Sequence, residues 1–208
     1  MAMRLALLGG KGGTGKSTIA INLADLLSLD GRTLLIDADP QPSAAGWLGI
    51  RDTPASFDVV ELPRATIDTE IDGLAKGYEH VVIDGPPRAA DILRSALLAA
   101  SYVVLPIQPS GLDLAGQLPV LALRTEARRF LPKGQRMAFA ISRRIAGTAI
   151  GKGFAGQLEA YGLPVLEGTH QRVVYAESVS EGQTVREREP NGPAVRELAD
   201  LLTHIRRL

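Results

Sequence analysis

Residues 9–18 read Gly-Gly-Lys-Gly-Gly-Thr-Gly-Lys-Ser-Thr, and no other stretch restricts the possible folds so tightly. The apolar run at 4–8 (RLALL) leads into it, and a segment of helical period at 16–29 leads out. The chain must therefore pass from a strand into a helix through a glycine-rich turn. Gly10, Gly15, Lys16 and Ser17 fit the spacing G-x-x-x-x-G-K-[ST] in the strand–loop–helix context that this motif needs. Glycines allow backbone conformations that turn successive N–H groups inward, and their missing side chains let anionic oxygens come close. The helix that follows points its positive end at the same place. Such a loop cradles phosphate. Gly12, Gly13, Thr14, Gly15, Lys16, Ser17 and Thr18 are the candidate contacts, with Lys16 reaching the β/γ-phosphates and the Ser17 hydroxyl on Mg²⁺.

The rest of the chain alternates short apolar runs with longer helical segments, the pattern of a parallel sheet covered on both faces. Strands are predicted at 4–8, 33–37, 57–62, 80–84, 102–107, 137–142 and 163–166. Helices are predicted at 16–29, 65–76, 89–100, 113–130, 148–161, 172–180 and 192–206. The fold class is α/β, a mostly parallel twisted sheet flanked by helices, with residues 1–208 as one domain. The last helix carries Val195, Leu198, Ala199, Leu202, Ile205 and Leu208 on one stripe. That stripe reads as packing on the sheet; a membrane-lying helix is the other reading, which Arg206 and Arg207 permit.

Two acidic strand ends stand opposite the loop. The second strand ends Asp37-Ala38-Asp39-Pro40-Gln41, and acids two apart on a strand share a face. The fourth strand, Val81-Val82-Ile83, is apolar throughout and ends in Asp84-Gly85-Pro86-Pro87. An acid there suits Mg²⁺ held through water, because that ion gives up its hydration reluctantly.

Composition adds limits. Lys+Arg and Asp+Glu both number 23, so any affinity for nucleic acid must come from a local patch. There is no cysteine, which excludes a disulfide framework and thiolate-held clusters and is compatible with a reducing cytoplasm. The apolar run before the glycines is too short for a signal or membrane segment, so a cytoplasmic protein is expected.

The form Lys11-Gly12-Gly13-Thr14-Gly15-Lys16-Ser17-Thr18, together with Asp37-Ala38-Asp39-Pro40-Gln41 and Asp84-Gly85-Pro86-Pro87, resembles the ParA/MinD superfamily of deviant-Walker P-loop ATPases. The likeness continues through Gln108-Pro109-Ser110-Gly111-Leu112-Asp113 and the stretch 169–182. With no room for an N-terminal DNA-binding extension, the chain looks like the short, ParF-like partition class. The resemblance implies ATP and Mg²⁺ as cofactors, with Lys11 crossing a dimer interface to the partner's nucleotide and Asp39 positioning the attacking water. It places Asp37 near the metal with Ser17 and Asp84, and Pro190 near adenine. It also implies an ATP-dependent homodimer, hydrolysis stimulated by a ParB-like activator or cargo adaptor, and nonspecific DNA binding at the nucleoid. Arg143, Arg144, Lys152 and Arg172 are the DNA-contact candidates, and Arg143 has the alternative of lying over adenine. A MinD-like membrane cycler and a P-loop kinase of a small metabolite are the rival readings.

Overall fold

The computed structural model describes residues 3–145 and 149–208, with the side chains of 149–152 left aside. Seven parallel strands form one sheet: β1 (Met3–Leu7), β2 (Thr33–Asp37), β3 (Asp58–Glu61), β4 (His80–Asp84), β5 (Tyr102–Ile107), β6 (Arg136–Ile141) and β7 (Val165–Glu167). Their spatial order is β3-β2-β4-β1-β5-β6-β7. The intervening helices are α1 (Lys16–Leu27), α2 (Ser43–Gly49), α3 (Ile67–Leu74), α4 (Ala90–Ala99), α5 (Gly111–Glu126) and α6 (Ala149–Glu159). Three more close the chain, α7 (Val173–Ser180), α8 (Val185–Arg188) and α9 (Pro193–Arg206).

Right-handed crossovers decide which face each helix covers. The steps β1 to β2 and β2 to β3 run one way along the sheet, so α1 and α2 lie on one face. Every later step runs the other way, which puts α3, α4, α5 and α6 on the opposite face. The two buried clusters follow this division. One joins Ile67, Ile92, Leu97, Val120, Phe154 and Leu158 to the strands' second face. The other joins Ile19, Leu23 and Leu27 of α1 to Trp47 of α2 and Leu198 of α9. Because the connections reverse direction at β1, the crevice beyond its carboxyl end is the natural ligand position.

Two helices were not expected from the sequence. Residues 43–49 (SAAGWLG) have two glycines and poor helix propensity, yet α2 forms. Asp37 accepts hydrogen bonds from its first free amides, Ala44 N–H at 2.8 Å and Ala45 N–H at 3.1 Å. Trp47 then anchors it, stacked on Phe57 at 5.5 Å and donating from its indole N–H to the Gln183 carbonyl at 3.1 Å. The four-residue α8 starts at a reciprocal cap: Thr184 Oγ1 accepts from Glu187 N–H, and Glu187 accepts from Thr184 N–H. That Thr-x-x-Glu signature was available in the sequence. Elsewhere the boundaries move by a few residues, most for α5, which ends at Glu126 rather than 130. The expected start of α6 at 148 lies outside the described residues.

The stripe on α9 is turned slightly from the expected one. Ala194, Leu198, Leu201, Leu202 and Ile205 are buried, while Ala199 is exposed. This face packs on α1 and β7, so its apolar surface is used within the fold. Among the described residues no helix is long and apolar enough to cross a membrane. Leu201→Ala should cost about 2–5 kcal/mol in urea unfolding, the usual penalty for truncating a fully buried leucine. A removable tail would show no such loss.

Candidate nucleotide site

The loop between β1 and α1 crosses the carboxyl edge of the sheet, and its shape is set by what touches it. Gly13 (φ 78°) and Gly15 (φ 92°) adopt left-handed conformations that a side chain would strain. Gly10 is needed for a different reason, since a Cβ there would come within 2.3 Å of the Gly116 carbonyl oxygen in α5. Three side chains hold the loop's carbonyls, one from the loop itself and two from the ends of other strands. Lys16 Nζ donates to Lys11 O at 3.0 Å, Gln108 Nε2 to Gly13 O at 3.0 Å, and Ser142 Oγ to Thr14 O at 2.9 Å. With those carbonyls drawn outward, the amides are left to serve an anion.

Asp37 and Asp84 stand side by side in register on adjacent strands. Their environments differ. Asp37 is braced by the two α2 amides and by Asp39 N–H at 3.2 Å. Burial raises its pKa, and those hydrogen bonds pull the other way. This carboxylate, expected near the metal, stands beside Asp84 and also shapes the 39–45 segment. Asp84 is wholly buried, and neither of its oxygens has a hydrogen-bond partner among the described residues. Burial pushes it up to about 7; the nearby Ser17 hydroxyl and Lys16 act against that rise, and Asp37 and Asp39 add to it. Lys16 is itself lowered by burial, with Asp84 and Asp39 opposing.

A buried carboxyl without a partner is costly to ionise, and a cation placed against it removes that cost. Asp84 beside the Ser17 hydroxyl, behind a loop of inward amides, fits Mg²⁺ shared with a nucleotide's phosphates. No group of three or more His, Asp or Glu side chains that would bind a metal by themselves occurs among the described residues. That donor set suits Mg²⁺ brought in with phosphate and water.

The remaining expected residues fall into three groups. Asp39 is partly exposed, accepts from Gln41 N–H at 2.9 Å, and faces the space beside Gly12 together with Pro40 and Pro87. Lys11 is tied to Asp113 at the head of α5, a nearly buried carboxylate that also accepts Gln108 N–H at 3.2 Å. Gly116 gives room for the Lys11 stem, since a Cβ there would lie 2.9 Å from Lys11 Cβ. On the far side of Gly15 and Thr18 is a cavity of about 490 Å³, of a size for base and ribose.

That cavity is lined by Arg143, Gln171, Arg172, Val173 and Tyr175 among others. Arg143 takes the left-handed conformation (φ 51°), a strain that non-glycine residues mostly show at functional positions. Pro190 does not line the cavity and is exposed. Arg172 Nη2 lies 2.6 Å from Glu197. Arg144 is bound to His170 Nε2 at 3.2 Å and Glu167 at 3.3 Å. The side chain of Lys152 lies outside the described residues. The holding roles of Gln108, Ser142 and Asp113 were not assigned from the sequence. A polar residue directly after a strand at the sheet's carboxyl edge was the available signal for Gln108 and Ser142.

Cradle, flanking carboxylates and parallel sheet together define a P-loop nucleotide-binding domain. A family model for the CobQ/CobB/MinD/ParA nucleotide binding domain matches residues 5–185, and the chain belongs to that family. It is 34% identical to the maintenance of carboxysome distribution protein A of Gloeobacter kilaueensis, over 78% of this chain and 74% of that one. It is 32% identical to the chromosome-partitioning ATPase Soj of Thermus thermophilus, over 95% and 94% of the two chains. The fold matches a solved Cyanothece McdA–ATP complex with a TM-score of 0.82 at 15% identity, covering 99% of this chain and 95% of that one.

Asp84 gives the apo protein a pH signature. Its folded pKa of about 7 stands above the ordinary 3.8, so its contribution to stability is full below about pH 4 and is lost as pH rises through 7. Asp84→Asn should remove that decline, raising the apo melting temperature at pH 7.5 but not at pH 4 while abolishing the stabilisation by Mg²⁺ over nucleotide alone. Thermal melts across this range, with and without Mg²⁺, check both outcomes.

Proposed function

We propose that this chain is an ATP-dependent dimerising switch that segregates or spaces a cargo along DNA. ATP and Mg²⁺ occupy the glycine loop, two copies close over the nucleotides, and slow hydrolysis separates them. The observation that carries the reading is the position of Lys11. Lys16 is buried within the loop, whereas Lys11 is held at the surface by Asp113, with its side chain 42% exposed. Beside it Leu112 is 77% exposed at the start of α5, an apolar surface suited to a second copy. Transfer of the Lys11 ammonium from a carboxylate to a partner's phosphate exchanges one charge-assisted pair for another, so nucleotide decides the exchange.

Ser17 and Asp84 would hold Mg²⁺, which supplies charge neutralisation on the phosphates. Lys16 adds charge at the same oxygens, and Asp39, open to solvent beside Gly12, orients a water. No histidine lines the space around Asp39, and Asp39 itself is half-exposed, so basal turnover is slow and a partner that orders the 39–42 segment raises it. The similarity to Soj and to the carboxysome distribution protein supports partition or positioning. The core-packed α9 argues against a membrane-cycling mode.

Analytical ultracentrifugation tests the switch. With Mg-ATP the wild type should dimerise, and Asp39→Ala should accumulate as a long-lived dimer. Lys11→Ala should bind ATP within about threefold of wild type, the scatter of an ordinary surface substitution, yet remain monomeric. Normal dimerisation of Lys11→Ala would overturn the two-copy mechanism and leave a nucleotide binder.

A further inference from the structure

Of the arginines between 143 and 188, all but Arg143 are ion-paired among the described residues. Arg144 pairs with Glu167, Arg172 with Glu197, Arg186 with Asp25, and Arg188 with Glu177 and Glu181. The stretch 124–136 is different. Arg124, Arg128, Arg129, Lys133 and Arg136 form no ion pair among the described residues, and Glu126 is the sole acid in the stretch. Arg124 stands in the last turn of α5, Arg128, Arg129 and Lys133 lie in the connection, and Arg136 opens β6. Like charges this close repel, and the chain provides little compensation.

The cluster has the form of a receiving surface. Arg124, Arg128, Arg129 and Lys133 line an open depression of about 630 Å³ together with Thr125 and Gln135. Arg128, Arg129, Lys133 and Arg136 are exposed, and Arg124 Nε is buried without a hydrogen-bond partner. In a parallel sheet, the residue that opens β6 lies at the edge opposite the loop that follows β1. The cluster therefore stays open whether or not nucleotide is bound or a second copy covers the loop.

We propose that this amino-edge patch is the surface that grips the phosphate backbone of duplex DNA, an assignment that rests on the positioning function above. Guanidinium groups match phosphate oxygens bidentately, and backbone contacts carry no sequence preference, as a protein that travels along DNA requires. With 23 cations balancing 23 anions overall, attraction to DNA must come from such a local excess. Two copies joined over their nucleotides carry two patches facing apart. A pair then engages neighbouring DNA segments with greater avidity than a single copy, which makes DNA retention follow ATP.

Fluorescence anisotropy with a random-sequence duplex in Mg-ATP tests the assignment. R128E/R129E should weaken binding at least about tenfold, and the milder R128Q/R129Q should flatten the dependence of log K on log[salt] by about 2, at roughly 0.9 for each phosphate no longer neutralised. The charge-matched control K76E/R207E, on exposed cations outside the stretch, should stay within about twofold of wild type, the range of a general charge effect. All variants should still dimerise with ATP. Retained DNA binding by R128E/R129E overturns the patch alone, as does an equal loss in the control. If the wild type binds anionic phospholipid vesicles through these residues and not DNA, both the patch assignment and the DNA part of the positioning function fail.

Discussion

An anion cradle built from backbone amides works only while its own carbonyls are held elsewhere. Here Lys16, Gln108 and Ser142 take the carbonyls of Lys11, Gly13 and Thr14. The Gly10–Gly116 approach fixes how close α5 lies beneath. Apart from Lys16 these contacts come from the ends of β5 and β6 and from α5, so the loop's shape depends on several strands of the sheet. The right-handed crossovers that distribute the helices also bring those ends to β1.

The same edge concentrates charge that burial opposes. Asp37 and Asp84 are register neighbours, yet one is satisfied by amides and the oxygens of the other lack a hydrogen-bond partner among the described residues. This asymmetry separates a structural carboxylate from a ligand-seeking one more clearly than position in sequence does. It also connects fold stability with ligand binding, since the group that destabilises the empty protein is the one that a cation relieves.

Much of this was legible in the sequence because it depends on local pattern. The glycine loop, the apolar run ending in Asp84 and the strand alternation are each short-range features, and the seven strands fall where periodicity places them. What escaped depends on distant partners. Helix α2 exists because Asp37 and Gln183 supply hydrogen bonds across the fold, against the preference of Gly46 and Gly49. Arg144 and Arg172 read as DNA-contact candidates, and only the fold shows that Glu167 and Glu197 lie against them. Spacing put Asp37 on the face it shares with Asp84, and only the fold shows that its oxygens also accept the amides of Ala44 and Ala45.

The fastening of α2 limits how far the 39–42 segment can move. At one end Asp37 lies in the sheet. At the other, Trp47 is stacked and bonded, and Arg51 donates to the Gly182 carbonyl at 2.6 Å and to Glu187 at 2.7 Å. Slack is thus confined to a few residues between two fixed points, so few backbone torsions have to be ordered when the segment closes. A hinge this short loses little entropy on each closure and transmits little of its movement into the sheet. Movement within residues 39–42 would therefore leave the scaffold undisturbed.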